Sequence, residues 1–220
     1  MKYFVTVAGN IGVGKSTLVS KLAEQLKWDP YFEPVTENPY LEDFYKNMKR
    51  WAFQSQVFFL TYRLRMHLEM LQNPNSVIQD RSVYEDAEIF AANLAQQKRM
   101  RKRDYASYKR LYALLSDMLR PPDLVIYLQA AVPTLQRRIA HRGRDFESGI
   151  DDDYLGQLNQ LYEGWAANFA LCPVLTVPTD HMDFVAHNGH LDLIVSKMKQ
   201  KLLGTEEVVF TKEEVRSYAD

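Results

Sequence analysis

A glycine-rich octapeptide near the beginning of the chain constrains the fold more than any other feature. Residues 9–16 read Gly-Asn-Ile-Gly-Val-Gly-Lys-Ser, which fits the pattern G-x-x-x-x-G-K-[ST]. An apolar stretch with strand character at residues 2–8 precedes it, and apolar residues at helical spacing follow from Lys15 onwards. The order strand, glycine loop, helix predicts that backbone N–H groups at the helix N-terminus hold a nucleotide phosphate.

The chemistry of this loop predicts its ligands. Lys15 is expected to reach the β- and γ-phosphates of a nucleoside triphosphate, and the Ser16 hydroxyl is expected to ligate Mg²⁺. Such loops serve kinases, GTPases and motors alike, so the loop alone leaves the reaction open. The predicted nucleotide-binding residues of the loop are Gly9, Asn10, Ile11, Gly12, Val13, Gly14, Lys15, Ser16 and Thr17.

The remaining segments predict an α/β fold with a mostly parallel sheet. Short strands are expected at residues 76–80, 123–128 and 173–177, and a short β-like stretch precedes Glu33. Helices are expected at about residues 51–72, 83–97, 104–119, 133–142 and 151–170. Strands that alternate with helices favour a parallel sheet wrapped by helices. We expect one domain over residues 1–204, with a loosely held polar tail at residues 205–220.

Composition excludes several classes of function. The formal net charge of −1 gives no global attraction to nucleic acid or to an anionic membrane. The single cysteine, Cys172, excludes an internal disulfide and a cysteine-built metal site. No segment approaches the roughly 20 apolar residues that span a bilayer, and the N-terminus lacks a signal-peptide pattern. We expect a soluble cytoplasmic protein that binds neither nucleic acid nor membrane.

Two polar clusters are interpreted as structural. The basic run at residues 98–103 is short, lies between two predicted helices and lacks interleaved aromatic residues, which favours a solvated loop over a nucleic-acid site. His181, His187 and His190 lie close together, but no carboxylate or cysteine at metal-ligand spacing accompanies them. They are expected to belong to a polar loop and the start of a helix.

An arginine-rich helix end offers a second site for phosphate. Arg138 and Arg142 are four residues apart and share a helix face, and Arg144 follows the turn-forming Gly143. Three converging guanidinium groups suit a transferring phosphoryl group, whose equatorial oxygens carry the charge. The alternative is a solvated basic helix paired with carboxylates. Beside the phosphate loop, a lid over about residues 138–150 is the better interpretation.

Two more charged groups follow predicted strands, where open α/β sheets bind ligands. Asp80 is expected in the Mg²⁺ shell, and Arg81 at the acceptor oxygen or a phosphate, although a helix cap with a salt bridge is the alternative. A carboxylate at this place, Glu33, suits a group that accepts a proton from a hydroxyl nucleophile, but the residues alone favour a surface turn. The switch motifs of a GTPase are absent from the sequence, since Arg81-Ser82-Val83 follows Asp80.

Taken in order, these motifs resemble the deoxynucleoside kinase family, which includes deoxycytidine, deoxyguanosine and deoxyadenosine kinases. The resemblance runs from the phosphate loop to about residue 184 and includes Glu33-Pro34-Val35 and the tryptophan-led segment at residues 51–56. The run at residues 37–41, Glu-Asn-Pro-Tyr-Leu, and Asp80 in place of the glutamate of animal members are similar to bacterial members. Because aspartate is shorter, a bridging water between Asp80 and Mg²⁺ is plausible.

The resemblance implies the P-loop kinase fold with a five-stranded parallel sheet, an arginine-rich lid, ATP as co-substrate and a homodimer. It implies Glu33 as the base that takes the 5′-hydroxyl proton, and Lys15, Arg81, Arg138, Arg142 and Arg144 as groups around the phosphates. Tyr45 and Glu147 would contact the sugar 3′-hydroxyl. Gln56, with Arg63 paired to Asp86, would bind the base. Asp183 and Phe184 would lie near the ATP adenine.

The Arg63–Asp86 pair also indicates the choice of base. A cation and an acceptor together read an exocyclic amine and a ring nitrogen, as cytosine, adenine and guanine present, whereas thymine fits poorly. Deoxyadenosine is the first expectation, with deoxyguanosine and deoxycytidine next. Two alternatives stay open, a nucleoside monophosphate kinase such as a thymidylate kinase, and a nucleotide-binding regulatory protein without catalysis.

Overall fold

The computed structural model describes residues 2–32, 37–144, 147 and 149–219. Its centre is a five-stranded parallel sheet in the order β2-β3-β1-β4-β5. The strands are β1 (Phe4–Gly9), β2 (Asp29–Tyr31), β3 (Val77–Asp80), β4 (Leu124–Gln129) and β5 (Val174–Pro178). The predicted parallel sheet is therefore confirmed, with strand ends that differ from prediction by one or two residues.

Helices cover both faces of the sheet. They are α1 (Lys15–Leu26), α2 (Leu41–Lys46), α3 (Met48–Gln72), α4 (Val83–Glu85), a π-helix (Asp86–Ala91), α5 (Ala92–Gln96), α6 (Lys102–Ser116), α7 (Val132–Arg142), α8 (Asp152–Asn168), α9 (Asn188–Leu202) and α10 (Lys212–Ser217). Local sequence fixes several ends. Asp151 caps α8 by accepting from the Tyr154 N–H at 2.6 Å, and α7 ends at Gly143, whose φ is 66°.

The sheet separates two apolar cores because its side chains alternate between faces. Val5 and Val7 of β1 point into a core formed with α1, α7 and α9, where Leu18 is fully buried. Ala8 belongs to the other core, built mainly by α3, α8 and the helical segment at residues 83–94. Burial of one leucine of this kind contributes about 1.5–3 kcal/mol. The two cores hold the carboxyl ends of β1 and β3 at a fixed separation, and the candidate site lies there.

Part of the C-terminal segment packs on the core through α10, whereas residues 203–207 are exposed. Thr211 and Glu214 form a capping box that starts α10, and Val215 is buried against the core beside α9. Lys197 of α9 donates to Glu214 at 2.6 Å. The polar composition of this segment gave no indication of the few apolar residues, such as Val215, through which it packs on the core.

Among residues 2–32, 37–144, 147 and 149–219, no helix is both long enough and apolar enough to cross a bilayer.

Candidate active site

A cavity of about 290 Å³ opens at the carboxyl ends of β1 and β3. Such an edge is where open α/β sheets bind ligands. Lys15 and Ser16 line one end of the cavity, and Gln56 and Asp86 line the other. One continuous space therefore joins the phosphate loop to the predicted base-binding residues.

The phosphate loop has the conformation that its glycines predict. Gly12 has a φ of 81°, and a Cβ placed there would lie 2.6 Å from the Ile139 Cγ1 atom and 2.9 Å from the Leu135 carbonyl oxygen. Only glycine satisfies both the left-handed backbone and this close approach of α7. Asn10 anchors the loop to α8 by donating to the Leu155 carbonyl at 2.9 Å.

Lys15 is held inside the loop. Its ammonium group donates to the Asn10 carbonyl at 3.0 Å, and the side chain is buried at the end of the cavity. A buried ammonium group at the N-terminus of α1 suits a polyphosphate.

Ser16 and Asp80 form an oxygen-rich pair at the same end. The Ser16 hydroxyl donates to Asp80 Oδ2, whereas Asp80 Oδ1 is buried without a hydrogen-bond partner among the described residues. An unsatisfied buried carboxylate oxygen costs free energy unless a ligand completes it. A hydroxyl and a carboxylate are the hard oxygen donors that Mg²⁺ prefers, so these residues fit the ion.

Arg81 follows β3 in a strained conformation. Its φ is 66°, a left-handed value that costs a non-glycine residue about 1–2 kcal/mol. The turn is fixed by the Arg81 N–H, which donates to the Val7 carbonyl at 3.0 Å. Its guanidinium group lines the cavity, lies 4.3 Å from the Phe90 ring centroid and donates to the Tyr162 hydroxyl at 2.7 Å. Strain of this kind is found at functional sites.

The predicted Arg63–Asp86 pair is confirmed as a contact. Arg63 Nε donates to Asp86 Oδ2, and Arg63 Nη1 donates to the Arg81 carbonyl at 3.1 Å. Arg63 is fully buried on α3. It lies on the same helix face as Gln56, as the seven-residue spacing predicts. Gln56 Oε1 is buried and has no hydrogen-bond partner among the described residues.

A π-helix places two side chains at the base end. Asp86 begins this segment and Phe90 lies four residues later, and both line the cavity. Residues four apart share a helix face, and π-helical segments are frequent at functional sites. The sequence pattern predicted a helix here but not its widened turn.

Glu147 binds two of the three arginines predicted for a lid. Arg142 Nε donates to Glu147 Oε2 at 3.0 Å, and Arg144 Nη1 lies 3.4 Å from Glu147 Oε1. All three line the cavity, as does Tyr45 of α2. Tyr45 and Glu147, the side chains predicted to contact the sugar, therefore line the same cavity as Arg142 and Arg144.

Arg138 lies apart from this group. It donates to the Val13 carbonyl at 2.9 Å and to the Thr179 carbonyl at 2.8 Å, so it joins the phosphate loop to the segment after β5. Burial lowers the pKa of its guanidinium group, which nevertheless stays charged at neutral pH. In this conformation the three predicted guanidinium groups do not converge on one point.

Asp183 binds its own turn, and Phe184 lies against the phosphate loop. Asp183 Oδ1 accepts from the Val185 and Ala186 N–H groups at 2.9 Å each, and these bonds lower the pKa of the carboxyl group. The Phe184 ring is buried 3.4 Å from where a Cβ of Gly14 would lie. Glu33, predicted as the base, lies outside the described residues.

Sequence reasoning missed three residues that shape the site. Phe90 and Tyr154 line the cavity, and the buried Glu85 connects the phosphate loop with the turn at Arg81. Ser82 and Glu85 form a capping box, which the spacing Ser-x-x-Glu could have revealed. The aromatic residues carry no local signal.

The fold and the site together define a nucleotide-binding phosphotransferase of the P-loop kinase class. The sequence profile described as deoxynucleoside kinase matches residues 5–203. The chain belongs to the deoxynucleoside kinase family, and it is a deoxynucleoside kinase.

Individual relatives agree with this assignment. A deoxyadenosine/deoxycytidine kinase from Bacillus subtilis (strain 168) is 36% identical over 196 residues, which cover 88% of this chain and 90% of the relative. A deoxyguanosine kinase from the same organism is 35% identical and covers 91% of this chain and 98% of its own. The structure of deoxyadenosine kinase from M. mycoides with dCMP and a flexible dCDP bound superposes with a TM-score of 0.80 at 31% identity, covering 90% of this chain and 99% of the other.

Proposed function

We propose that the enzyme transfers the γ-phosphoryl group of ATP to the 5′-hydroxyl of a deoxynucleoside, with deoxyadenosine preferred. The observation that carries this proposal is Gln56 Oε1, buried and without a hydrogen-bond partner among the described residues, in the same cavity as Lys15. A buried acceptor of this kind is satisfied when a donor from a ligand reaches it.

The choice of base rests on Asp86. The Gln56 amide presents a donor and an acceptor and can rotate, whereas an ionised carboxylate only accepts hydrogen bonds. Adenine, guanine and cytosine carry an exocyclic amine that can donate, and thymine carries a methyl group and no amine. Relatives named for deoxyadenosine, deoxycytidine and deoxyguanosine match this chain, which supports an amine-bearing base, with adenine proposed first.

The phosphate end supports transfer from ATP. Lys15, Arg81, Arg142 and Arg144 place positive charge along the cavity between the phosphate loop and the acceptor site. Such groups stabilise the charge on the equatorial oxygens of a transferring phosphoryl group. Asp80 and Ser16 would hold Mg²⁺, which when bound neutralises charge on the β- and γ-phosphate oxygens.

The acceptor hydroxyl would be positioned from the sugar side. Tyr45 and Glu147 line the wall where a sugar between phosphate and base would lie, which supports contact with the 3′-hydroxyl. Glu33 is proposed as the group that accepts the 5′-hydroxyl proton, on the resemblance of Glu33-Pro34-Val35 to the family motif.

We also propose a cytoplasmic homodimer formed through α3 and α6. These helices contact each other, and Leu68 of α3 and Leu114 of α6 are exposed at 48% and 67%, as is Met118 just after α6 at 77%. Exposed apolar patches mark interaction surfaces. Light scattering of wild type and Leu114→Glu tests this, since the variant should halve the measured mass. An unchanged mass would argue against this surface.

The central experiment follows ADP release from Mg·ATP with four deoxynucleosides and their four monophosphates as separate acceptors. Turnover is expected with deoxyadenosine first, then deoxyguanosine and deoxycytidine, and little with thymidine. Turnover with monophosphates alone would instead identify a nucleoside monophosphate kinase. ADP release that does not depend on any acceptor would refute phosphoryl transfer to a nucleoside.

Glu33→Gln tests the proposed base separately. The variant should lose about 10²–10⁴-fold in kcat, the usual contribution of general base catalysis. Its affinity for ATP, measured by titration calorimetry, should stay near that of the wild type. Full activity would remove Glu33 as the base and leave the substrate assignment intact.

A further inference from the structure

Glu85 is a fully buried carboxylate that lies outside the cavity wall. It ends α4, five residues after Asp80. Burying a charge is costly unless hydrogen bonds satisfy it. Its two oxygens together accept from four donors on three separate parts of the chain. This degree of satisfaction indicates a specific structural task.

The first task is to join the phosphate loop to the turn after β3. Glu85 Oε1 accepts from the Gly9 N–H at 3.2 Å, and Gly9 is the first residue of the loop. Glu85 Oε2 accepts from the Ser82 N–H at 2.8 Å and from the Ser82 hydroxyl at 3.2 Å. One carboxylate therefore fixes the distance between the ATP side and the acceptor side of the cavity.

The second task concerns Arg81. The Tyr162 hydroxyl has a single proton, which it donates to Glu85 Oε1 at 2.9 Å. Its oxygen is then oriented to accept from Arg81 Nη1 at 2.7 Å. Glu85 itself lies 3.9 Å from Arg81 Nη1. The carboxylate thus determines the direction of a hydrogen-bond chain that ends on a cavity-lining guanidinium group.

We propose that Glu85 is a positioning residue for phosphoryl transfer, holding the phosphate loop and Arg81 in one fixed frame. This inference rests on the role proposed above for Arg81 at the transferring phosphoryl group. Misplacement of a reacting group by about 1 Å can cost roughly 10²-fold in rate. Glu85 therefore contributes to catalysis without touching either substrate.

The test compares Glu85→Gln with Glu88→Gln. A glutamine at position 85 has nearly the same shape, but its amide nitrogen donates, so the N–H of either Gly9 or Ser82 loses its acceptor. We expect kcat to fall about 10- to 100-fold while KM for the deoxynucleoside changes by less than about threefold. Glu88 accepts from the Tyr112 hydroxyl at 2.7 Å and from Trp165 Nε1 at 2.8 Å, outside the cavity lining.

Glu88→Gln therefore changes a hydrogen-bonded carboxylate at a solvent-exposed position three residues away, and its kcat should stay within about twofold of wild type. Equal kcat values for the two variants would overturn the proposal and leave Glu85 a structural residue only.

Tyr162→Phe provides a second, independent variant. It retains the ring and removes only the hydroxyl between Glu85 and Arg81, so kcat should fall several-fold at unchanged ATP affinity. Because both substitutions act through Arg81, the double variant should lose less than the product of the two single effects. If the two losses in kcat multiply fully in the double variant, Glu85 and Tyr162 do not act on Arg81 through one hydrogen-bond chain.

Failure of the parent proposal is distinguishable from failure of this one. Unchanged kcat in Arg81→Lys would refute the role of Arg81. It would not test whether the hydrogen bond between Glu85 and the Gly9 N–H holds the phosphate loop. Titration of Glu85→Gln with ATP alone, expected to bind about tenfold more weakly, judges that contact without turnover. Wild-type affinity there would overturn the claim that Glu85 holds the phosphate loop.

Discussion

The two ends of the cavity are built by different parts of the chain. At the phosphate end, the proposed binding groups are backbone N–H groups of a short contiguous loop together with Lys15 and Ser16. At the base end, side chains from α3 and the π-helix converge, with Gln56, Arg63 and Asp86 drawn from segments 30 residues apart. Backbone recognition suits a ligand that every family member shares, whereas side-chain recognition can change with the substrate.

Replacing Lys15 should give the largest effect at the phosphate end. Lys15→Met removes the ammonium group but keeps a similar length, and kcat should fall about 10³-fold, as for loss of a group that stabilises transferring phosphoryl charge. Initial rates at saturating ATP measure it. The fall should be the same for every deoxynucleoside. A fall that depends on the base would break the separation between the two ends.

Replacing Gln56 should affect the base end alone. Gln56→Leu removes the amide that is proposed to bind the base, and kcat/KM for deoxyadenosine should fall about 10- to 100-fold. KM for ATP should stay constant. Both kcat/KM for deoxyadenosine and KM for ATP are measured in parallel. A matching rise in KM for ATP would show that the two ends of the cavity are coupled.

Gly12→Ala tests the backbone requirement of the phosphate end. The left-handed φ and the close approach of α7 should weaken ATP binding about tenfold, since left-handed backbone alone costs a residue with a Cβ about 1–2 kcal/mol. Gly156→Ala is the matched control, because a Cβ there meets no other atom within 4 Å. The control should raise the unfolding free energy by about 0.5–1 kcal/mol. Wild-type ATP affinity in Gly12→Ala would contradict the steric argument.

The smallest effect concerns the helix that carries the base end. Burial lowers the pKa of His67 on α3, whose Nε2 lies 3.0 Å from the Arg120 carbonyl. Below the unfolded pKa of about 6.5, the unfolded chain binds more protons than the folded one, so His67 makes stability fall from pH 7 towards pH 5. Urea unfolding should show a smaller loss of stability over the same pH range in His67→Gln. Equal pH dependence in both proteins would remove His67 as its source.

The same contrast explains what could be predicted from the sequence. The phosphate loop was predictable because its residues are contiguous and its glycines have a local steric reason. The contact between Arg63 and Asp86 came from the resemblance to the family. The position of Arg138 did not follow from helical spacing, because the Thr179 carbonyl that binds it comes from a distant segment.

Tertiary contacts account for the other differences. Nothing local in residues 86–91 distinguishes a π-helix from an α-helix, and the packed C-terminal segment depends on Val215 reaching a core built elsewhere. Glu85 was overlooked for a related reason. Its capping spacing is local, but its bond to Gly9 joins residues 76 positions apart.

The π-helix has a consequence for how this pocket can evolve. Each of its turns holds more residues than a turn of α-helix, since its hydrogen bonds close over five residues instead of four. Losing one codon within this segment would restore regular winding and rotate Asp86 and Phe90 relative to each other, while the sequences of α3 and α5 stayed untouched. Deletion of a single codon can thus change the lining of the cavity at Asp86 and Phe90 in one step. Segment length is therefore a character to compare among relatives with different base preferences.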